Sequence, residues 1–284
     1  MADSTPPKLG IIAGAGQLPL SVIAACAATG RPYSLLAIES EADAEVLARA
    51  DAALGYGSIG RAVELLRQFQ CHDVVMCGRV GRPDFGSLKL DWKGIKVLSR
   101  VVAAARKGDD ALLTEMGRIF EEEGFRLIAP DDVATDLLAP SGTLTMRAPD
   151  DAAKADLVRA VAVMRALGPF DIGQAIVVCN GLVLAIEAAE GTDAMLARCA
   201  ALPKRLRGDV TARRGLLVKM PKPGQSRHVD LPAIGPDTVE GAAAAGLAGI
   251  AIETAGALVL GRSAVVARAD QLGLFVYGFS PDAP

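Results

Sequence analysis

Histidine is almost missing from this 284-residue chain, which has only His72 and His228. A binuclear phosphoesterase centre built on several imidazoles is therefore excluded. Aromatic residues make up 4% of the chain, while Ala, Gly, Leu and Val dominate it. That mix suits strands and helices in close contact rather than a β-sandwich. The formal charge is only −3, so no strongly basic face is available to neutralise nucleic-acid phosphates, and nucleic acid is excluded as a main partner. The five cysteines (Cys26, Cys71, Cys77, Cys179 and Cys199) are odd in number, scattered and without a C-x-x-C pair, which argues against a disulfide framework. No G-x-S-x-G elbow and no Walker loop is present, so hydrolysis through a serine or cysteine nucleophile is not expected. No apolar run reaches the ~20 residues of a membrane span. Residues 1–7 are polar and lack the layout of a signal peptide. The expectation is a cytoplasmic protein whose contact with a membrane, if any, is peripheral.

What is present reads as α/β. Residues 8–13 form a short apolar strand, followed by a glycine turn at 14–19 and an apolar helix over 18–28. A second strand at 32–38, helices at 41–49 and 59–69, and a strand at 73–78 continue the alternation. Such an order predicts parallel pairing, hence a Rossmann-like N-terminal domain over residues 1–135. Helices are expected at 92–106 and 110–123, the second capped by Asp109, and a strand at 125–129. The proline-rich stretch 130–149 reads as a linker or domain boundary. The second half, 136–284, is expected to be a separate α/β domain with a mixed sheet. Its helices are placed at 150–167, 193–202, 239–247 and 263–272. Its strands are placed at 175–179, 183–187, 215–220, 249–253, 257–260 and 274–277. Asn180-Gly181 marks a hairpin between the first two strands.

Several constellations point to phosphate chemistry. Gly14, Ala15, Gly16 and Gln17, between a strand and a helix, can offer backbone N–H groups to a phosphate. Pro19 stands where a dinucleotide fingerprint needs its third glycine, although Glu39 imitates the ribose-binding acid. Gly78, Arg79, Val80, Arg82 and Pro83 follow the third strand at the edge where ligands sit in open α/β sheets, and the two arginines suit phosphate oxygens. A stiff, proline-punctuated segment over 219–235 carries Lys219, Lys222, Gln225, Arg227 and Asp230. Cations beside one carboxylate are what phosphoryl transfer needs: the cations offset phosphate charge while the Asp holds a metal or activates water. Gln174, ahead of a strand, and Thr192 with Asp193, at a helix start, are candidates to complete the substrate contacts. Thr192 also reads as that helix's N-cap. Asp109-Asp110 reads better as a cap than as a metal pair, and Glu121, Glu122 and Gly124 only imitate the tail of a Nudix box.

These motifs occur together in one order: Gly14, Gly16, Leu18 and Pro19; 106–113 (Arg-Lys-Gly-Asp-Asp-Ala-Leu-Leu); 171–174 (Asp-Ile-Gly-Gln); 190–196 (Glu-Gly-Thr-Asp-Ala-Met-Leu); and Lys219, Pro221, Lys222, Pro223, Gln225, Arg227, Asp230, Leu231, Pro232, Ile234 and Gly235. So arranged, the chain resembles the UDP-2,3-diacylglucosamine pyrophosphatases of bacteria that lack the calcineurin-like enzyme. The resemblance runs from about residue 9 to residue 279. It implies Mg²⁺-dependent hydrolysis of UDP-2,3-diacylglucosamine to lipid X and UMP in lipid A synthesis. It also implies two domains with the lipid between them, a homodimer, and an essential role for Asp230, the Asp of the D-L-P motif. The family attacks the β-phosphate side, a point the residues themselves leave open. Two other readings remain at this level: a nicotinamide-dependent oxidoreductase built on the glycine turn and Glu39, and a non-catalytic nucleotide-sugar-binding protein.

Overall fold

The computed structural model describes residues 6–81, 84–86, 89–222, 231–282 and 284. The chain divides into two compact units with the break between Thr135 and Asp136.

The first unit contains β1 (Leu9–Ala13), α1 (Gln17–Thr29), β2 (Tyr33–Ile38), α2 (Ala44–Arg49), β3 (Ala52–Leu54), α3 (Ile59–Gln68), β4 (Asp73–Cys77), α4 (Trp92–Ala105), α5 (Asp109–Glu122), β5 (Arg126–Leu127) and α6 (Pro130–Val133). Its five strands are all parallel, in the order β3-β2-β1-β4-β5. Helices cover both faces, which is why β1 and β4 read as unbroken apolar runs. Val22, Ile23 and Cys26 of α1 pack on one face, and Val63 and Leu66 of α3 on the other. The strand order reverses between β1 and β4, the switch point beside which open α/β sheets commonly carry their ligand sites.

Three local expectations change. The residue that caps α5 is Gly108, at φ 136°, and Asp109 is already helical; a glycine takes this backbone without the penalty an aspartate would meet. β3 escapes sequence reading because it is three residues long with only Leu54 buried. The stretch 130–149 contains the break between the two units, but it is structured rather than irregular. Pro130 opens α6, and the Asp132 carboxylate accepts the Ala129 N–H at 2.9 Å. Thr135–Leu137 form a 3₁₀ turn, and β6 (Gly142–Thr143) pairs with the last strand. A proline at a helix start is favourable, since its missing N–H would have had no partner there.

The second unit adds α7 (Asp151–Leu167), β7 (Ala175–Cys179), β8 (Leu182–Ile186), α8 (Gly191–Ala200), β9 (Leu216–Lys219), β10 (Ala233–Ile234), α9 (Pro236–Ala244), β11 (Gly249–Glu253), β12 (Leu258–Val259), α10 (Arg262–Leu272) and β13 (Phe275–Phe279). Its six-stranded sheet runs β6-β13-β11-β9-β7-β8. The central β13, β11 and β9 are parallel, and β6, β7 and β8 run antiparallel to their neighbours. Strands β10 and β12 form a separate parallel pair. Leu157, Val161 and Met164 of α7 fill one face of the sheet. Met195, Val239 and Val265, from α8, α9 and α10, fill the other. The Asn180-Gly181 turn has φ 50° and 76°, the backbone of a tight hairpin. Both of its N–H groups donate to the buried Asp156 carboxylate, at 2.8 and 2.6 Å.

Candidate functional site

A buried polar grouping in the second unit gathers at the C-terminal end of β9. The Lys219 side chain is buried, which is costly for a cation unless hydrogen bonds compensate. Its ammonium donates to Thr192 Oγ1 at 2.9 Å and to the Ala233 carbonyl at 3.0 Å. The Thr192 hydroxyl donates onward to Glu187 Oε1 at 2.6 Å. Glu187 Oε2 accepts the Gln174 N–H at 2.8 Å. Lysine, threonine hydroxyl and glutamate thus form one relay, anchored on the backbone that enters β7. Beside it, Lys222 donates to Asp171, and both side chains are largely buried.

Local backbone explains why these groups meet. Asp171 (φ 56°) and Gly173 (φ 49°) adopt left-handed conformations that bend the chain ahead of β7. A Cβ on Gly173 would stand 2.1 Å from the Glu187 carbonyl, so only glycine allows this approach. The Met220 N–H donates to the Gln174 carbonyl at 3.1 Å, tying the end of β9 to the same place. Thr192 is not the N-cap expected of it. Glu190 holds that position without a side-chain cap, and Thr192, inside the first turn, has its hydroxyl drawn toward Glu187 and Lys219. Asp193 also lies in this first turn.

In the first unit, the loops after β1 and β4 are joined. Ala15 and Arg79 exchange two backbone hydrogen bonds of 2.8 Å each. A Cβ on Gly14 would lie 2.2 Å from the Arg79 carbonyl, and one on Gly78 (φ 92°) would lie 2.8 Å from the Ala15 carbonyl and 2.9 Å from Pro19 Cγ. These glycines are therefore required by the close approach of the loops themselves. The Gly16 N–H, at the start of α1, donates to Asp43 Oδ2 at 2.6 Å. The anion position that a helix N-terminus favours is thus held by a carboxylate of the chain. Arg79 Nε lies 3.9 Å from where a Gly16 Cβ would sit, which brings its guanidinium to the same helix start. Glu41 accepts the Gly81 N–H at 2.8 Å, and the Tyr56 hydroxyl donates to the Gly81 carbonyl. Burial, and then Glu41, push the Tyr56 phenol well above its ordinary range. Val80 is exposed, Gln17 opens α1, and Glu39 is exposed at the end of β2.

The structure therefore joins Gln174, Thr192, Lys219 and their neighbours in one unit, and Gly14, Ala15, Gly16, Gly78 and Arg79 in the other. Arg82, Pro83, Gln225, Arg227, His228 and Asp230 lie outside the described residues. Glu187, Asp43 and Glu41 carry no signal in the sequence that singles them out, and Asp171 stands there only within the motif over 171–174. Glu187 ends a hairpin strand and looks there like any solvated carboxylate.

For a divalent cation, the donor set is as follows. Among the described residues, no three His, Cys, Asp or Glu side chains gather as a metal cage. Asp171 is paired with Lys222, and Glu187 is engaged by Thr192 and Gln174. Mg²⁺ needs no such cage, since it is commonly held by one or two carboxylates together with substrate phosphates.

Fold and site together define a two-unit α/β protein, one unit a parallel sheet of doubly wound order, the other a mixed sheet with a buried lysine relay. The chain belongs to the LpxI family: the LpxI N-terminal domain matches residues 8–137 and the LpxI C-terminal domain residues 140–277. It is 47% identical over 274 residues to the UDP-2,3-diacylglucosamine pyrophosphatase LpxI of Caulobacter vibrioides, covering 96% of this chain and 98% of that one. Among solved structures, it matches N5-carboxyaminoimidazole synthetase from Staphylococcus aureus at 13% identity and a TM-score of 0.21. That match covers 61% of this chain and 38% of the other, and carries no argument.

Proposed function

We propose that the protein hydrolyses the pyrophosphate bond of UDP-2,3-diacylglucosamine, giving UMP and 2,3-diacylglucosamine 1-phosphate (lipid X), a step of lipid A synthesis. The observation that carries this reading is the near full-length identity with a relative of that named activity. The Lys219–Thr192–Glu187 relay supports it by holding a cation ready for a phosphoryl group. A water oxygen bonds to one phosphorus, the bridging P–O bond breaks, and the electron pair leaves with the departing phosphate. Negative charge builds on the phosphoryl oxygens along the way. Lys219, Lys222 and Arg227 offset that charge, and they do so best where water is excluded. Asp230 would hold Mg²⁺, accept the proton of the attacking water, or do both. Bound Mg²⁺ supplies Lewis-acid stabilisation of the phosphoryl oxygens. Within the first unit, Gly16, Gln17 and Arg79 at the start of α1 offer a place for a phosphate once Asp43 leaves the Gly16 N–H.

The test is UMP release from the acylated UDP-sugar, followed by chromatography with and without Mg²⁺. The wild-type protein is expected to release UMP only with the metal, and Asp230→Ala to retain substrate without cleaving it. No UMP from the wild-type protein with Mg²⁺ overturns the hydrolysis. Undiminished turnover by Asp230→Ala removes the role given to that carboxylate.

A further inference from the structure

Among the described residues, no helix is long and apolar enough to cross a membrane. A substrate with two acyl chains resides in a bilayer, so an enzyme acting on it needs a surface that meets the headgroups. The inference below rests on the substrate proposed above for that motive alone, since its test does not require turnover.

The start of α4 has the required chemistry. The Asp91 N–H donates to the Gly57 carbonyl at 3.3 Å, in the loop that follows β3. The Asp91 carboxylate accepts the Gly94 N–H at 2.8 Å and the Arg61 N–H at 3.0 Å. These bonds fix the first turn of α4 at the C-terminal edge of the parallel sheet, the edge that also carries the Gly14–Arg79 loops. Further along the helix, Val101 is buried against Ile59 and Ile119. The opposite side leaves Trp92 58% exposed and Ile95 63% exposed. Trp92 is the single tryptophan of the chain. Lys96 lies 4.3 Å from the centre of its ring and Lys93 5.6 Å. Lys93 is held by Glu123 at 2.6 Å, whereas Lys89 and Lys96 are exposed.

A large aromatic and an isoleucine, one turn apart and flanked by lysines, match the boundary between headgroups and acyl chains. The indole and the aliphatic chain enter the boundary, and the ammonium groups meet lipid phosphates. A second copy of this chain fits the patch less well, because a two-fold contact would set the same lysines against each other. We propose that the start of α4 seats the first unit on an anionic lipid surface, with Trp92 and Ile95 inserted and Lys89 and Lys96 on lipid phosphates.

Because Trp92 is the only tryptophan, its fluorescence reads the contact directly. Vesicles of phosphatidylglycerol and phosphatidylcholine are expected to shift its emission to the blue, and brominated acyl chains to quench it. Vesicles of phosphatidylcholine alone should do neither. Lys89→Glu and Lys96→Glu should each weaken partitioning roughly fivefold or more. Ile95→Asp should weaken it as well, while leaving the thermal melt and the turnover of detergent-dispersed substrate unchanged. Unaltered emission with anionic vesicles overturns the proposal, as does equal binding to neutral ones. A blue shift that follows protein concentration without lipid also overturns it, and assigns the patch to a second copy. If hydrolysis is absent but the lipid-dependent shift is present, the docking surface stands and only the substrate assignment falls.

Discussion

Glu187 holds together groups thirteen residues before it and five after it, the Gln174 N–H and the Thr192 hydroxyl. Through Thr192 it also orients the buried ammonium of Lys219. Glu187→Gln keeps the size of the side chain but removes the charge that makes these bonds strong. Hydrogen bonds to charged groups are worth about 1.5–3 kcal/mol, so kcat is expected to fall about ten- to a hundredfold while KM changes little. Steady-state kinetics beside a thermal melt would check this, and an unchanged kcat in a folded variant would deny the relay a role. Asp43 offers the opposite case. Its carboxylate occupies the Gly16 N–H at the start of α1, where it competes with any incoming phosphate. Asp43→Ala should lower stability by about 0.5–1 kcal/mol, the usual worth of an acid at a helix start, yet tighten UMP binding measured by calorimetry. Weaker UMP binding would show that Asp43 contacts the nucleotide instead of displacing it. Neither carboxylate carries a distinguishing signal in the sequence, because each acquires its partners only through the fold.

At the scale of elements, two glycines with positive φ separate strain from contact. Gly181 (φ 76°) has open space where a Cβ would go, while Gly173 (φ 49°) has the Glu187 carbonyl 2.1 Å away. Gly181→Ala should cost about 1 kcal/mol, for backbone strain alone. Gly173→Ala should cost at least about 3 kcal/mol, since it adds a clash with backbone that holds Glu187 in place. Urea unfolding of both variants tests the difference, and equal costs would mean that the loop ahead of β7 yields easily. Elements with a strong local signal were legible in the sequence. Ile59, Val63 and Leu66 at helical spacing mark α3, and Asn180-Gly181 marks the β7–β8 turn. The two-residue strands β6 and β10 were not, since a strand that short has no periodicity to read. The prolines of 130–149 were read as breaks, although Pro130 begins a helix.

For the whole molecule, several exposed or partly exposed carboxylates are held below their ordinary range. The Arg100 guanidinium does this for Glu122, Lys93 and then Arg67 for Glu123, and Arg268 for Glu240. The Thr211 hydroxyl and neighbouring backbone N–H groups bring Asp209 to about 2. Each group is more acidic folded than unfolded, so its stabilisation is present above the unfolded pKa and is lost as pH falls through the folded one. The melting temperature should therefore be level between about pH 5 and about pH 8 and decline below about pH 4. High salt should flatten that decline, because exposed pairs are screened. Calorimetric scans across pH at two salt concentrations would check both statements, and a melting temperature rising toward acid would contradict them.

By itself the sequence determined the α/β class, the glycine turn, most helices and strands, and a family resemblance carried by motifs in fixed order. These rest on short-range physics: side-chain periodicity, turn preferences and helix starts. Only the tertiary structure decided which charges meet. Lys219 and Thr192 are 27 residues apart, Lys222 and Asp171 are 51 apart, and Gly16 and Asp43 are 27 apart. Such bonds depend on strand order and loop closure, which bring distant backbone within 3 Å or so of a side chain. A run of cations followed by one aspartate signals phosphate chemistry, but the sheet order places Glu187 behind Lys219.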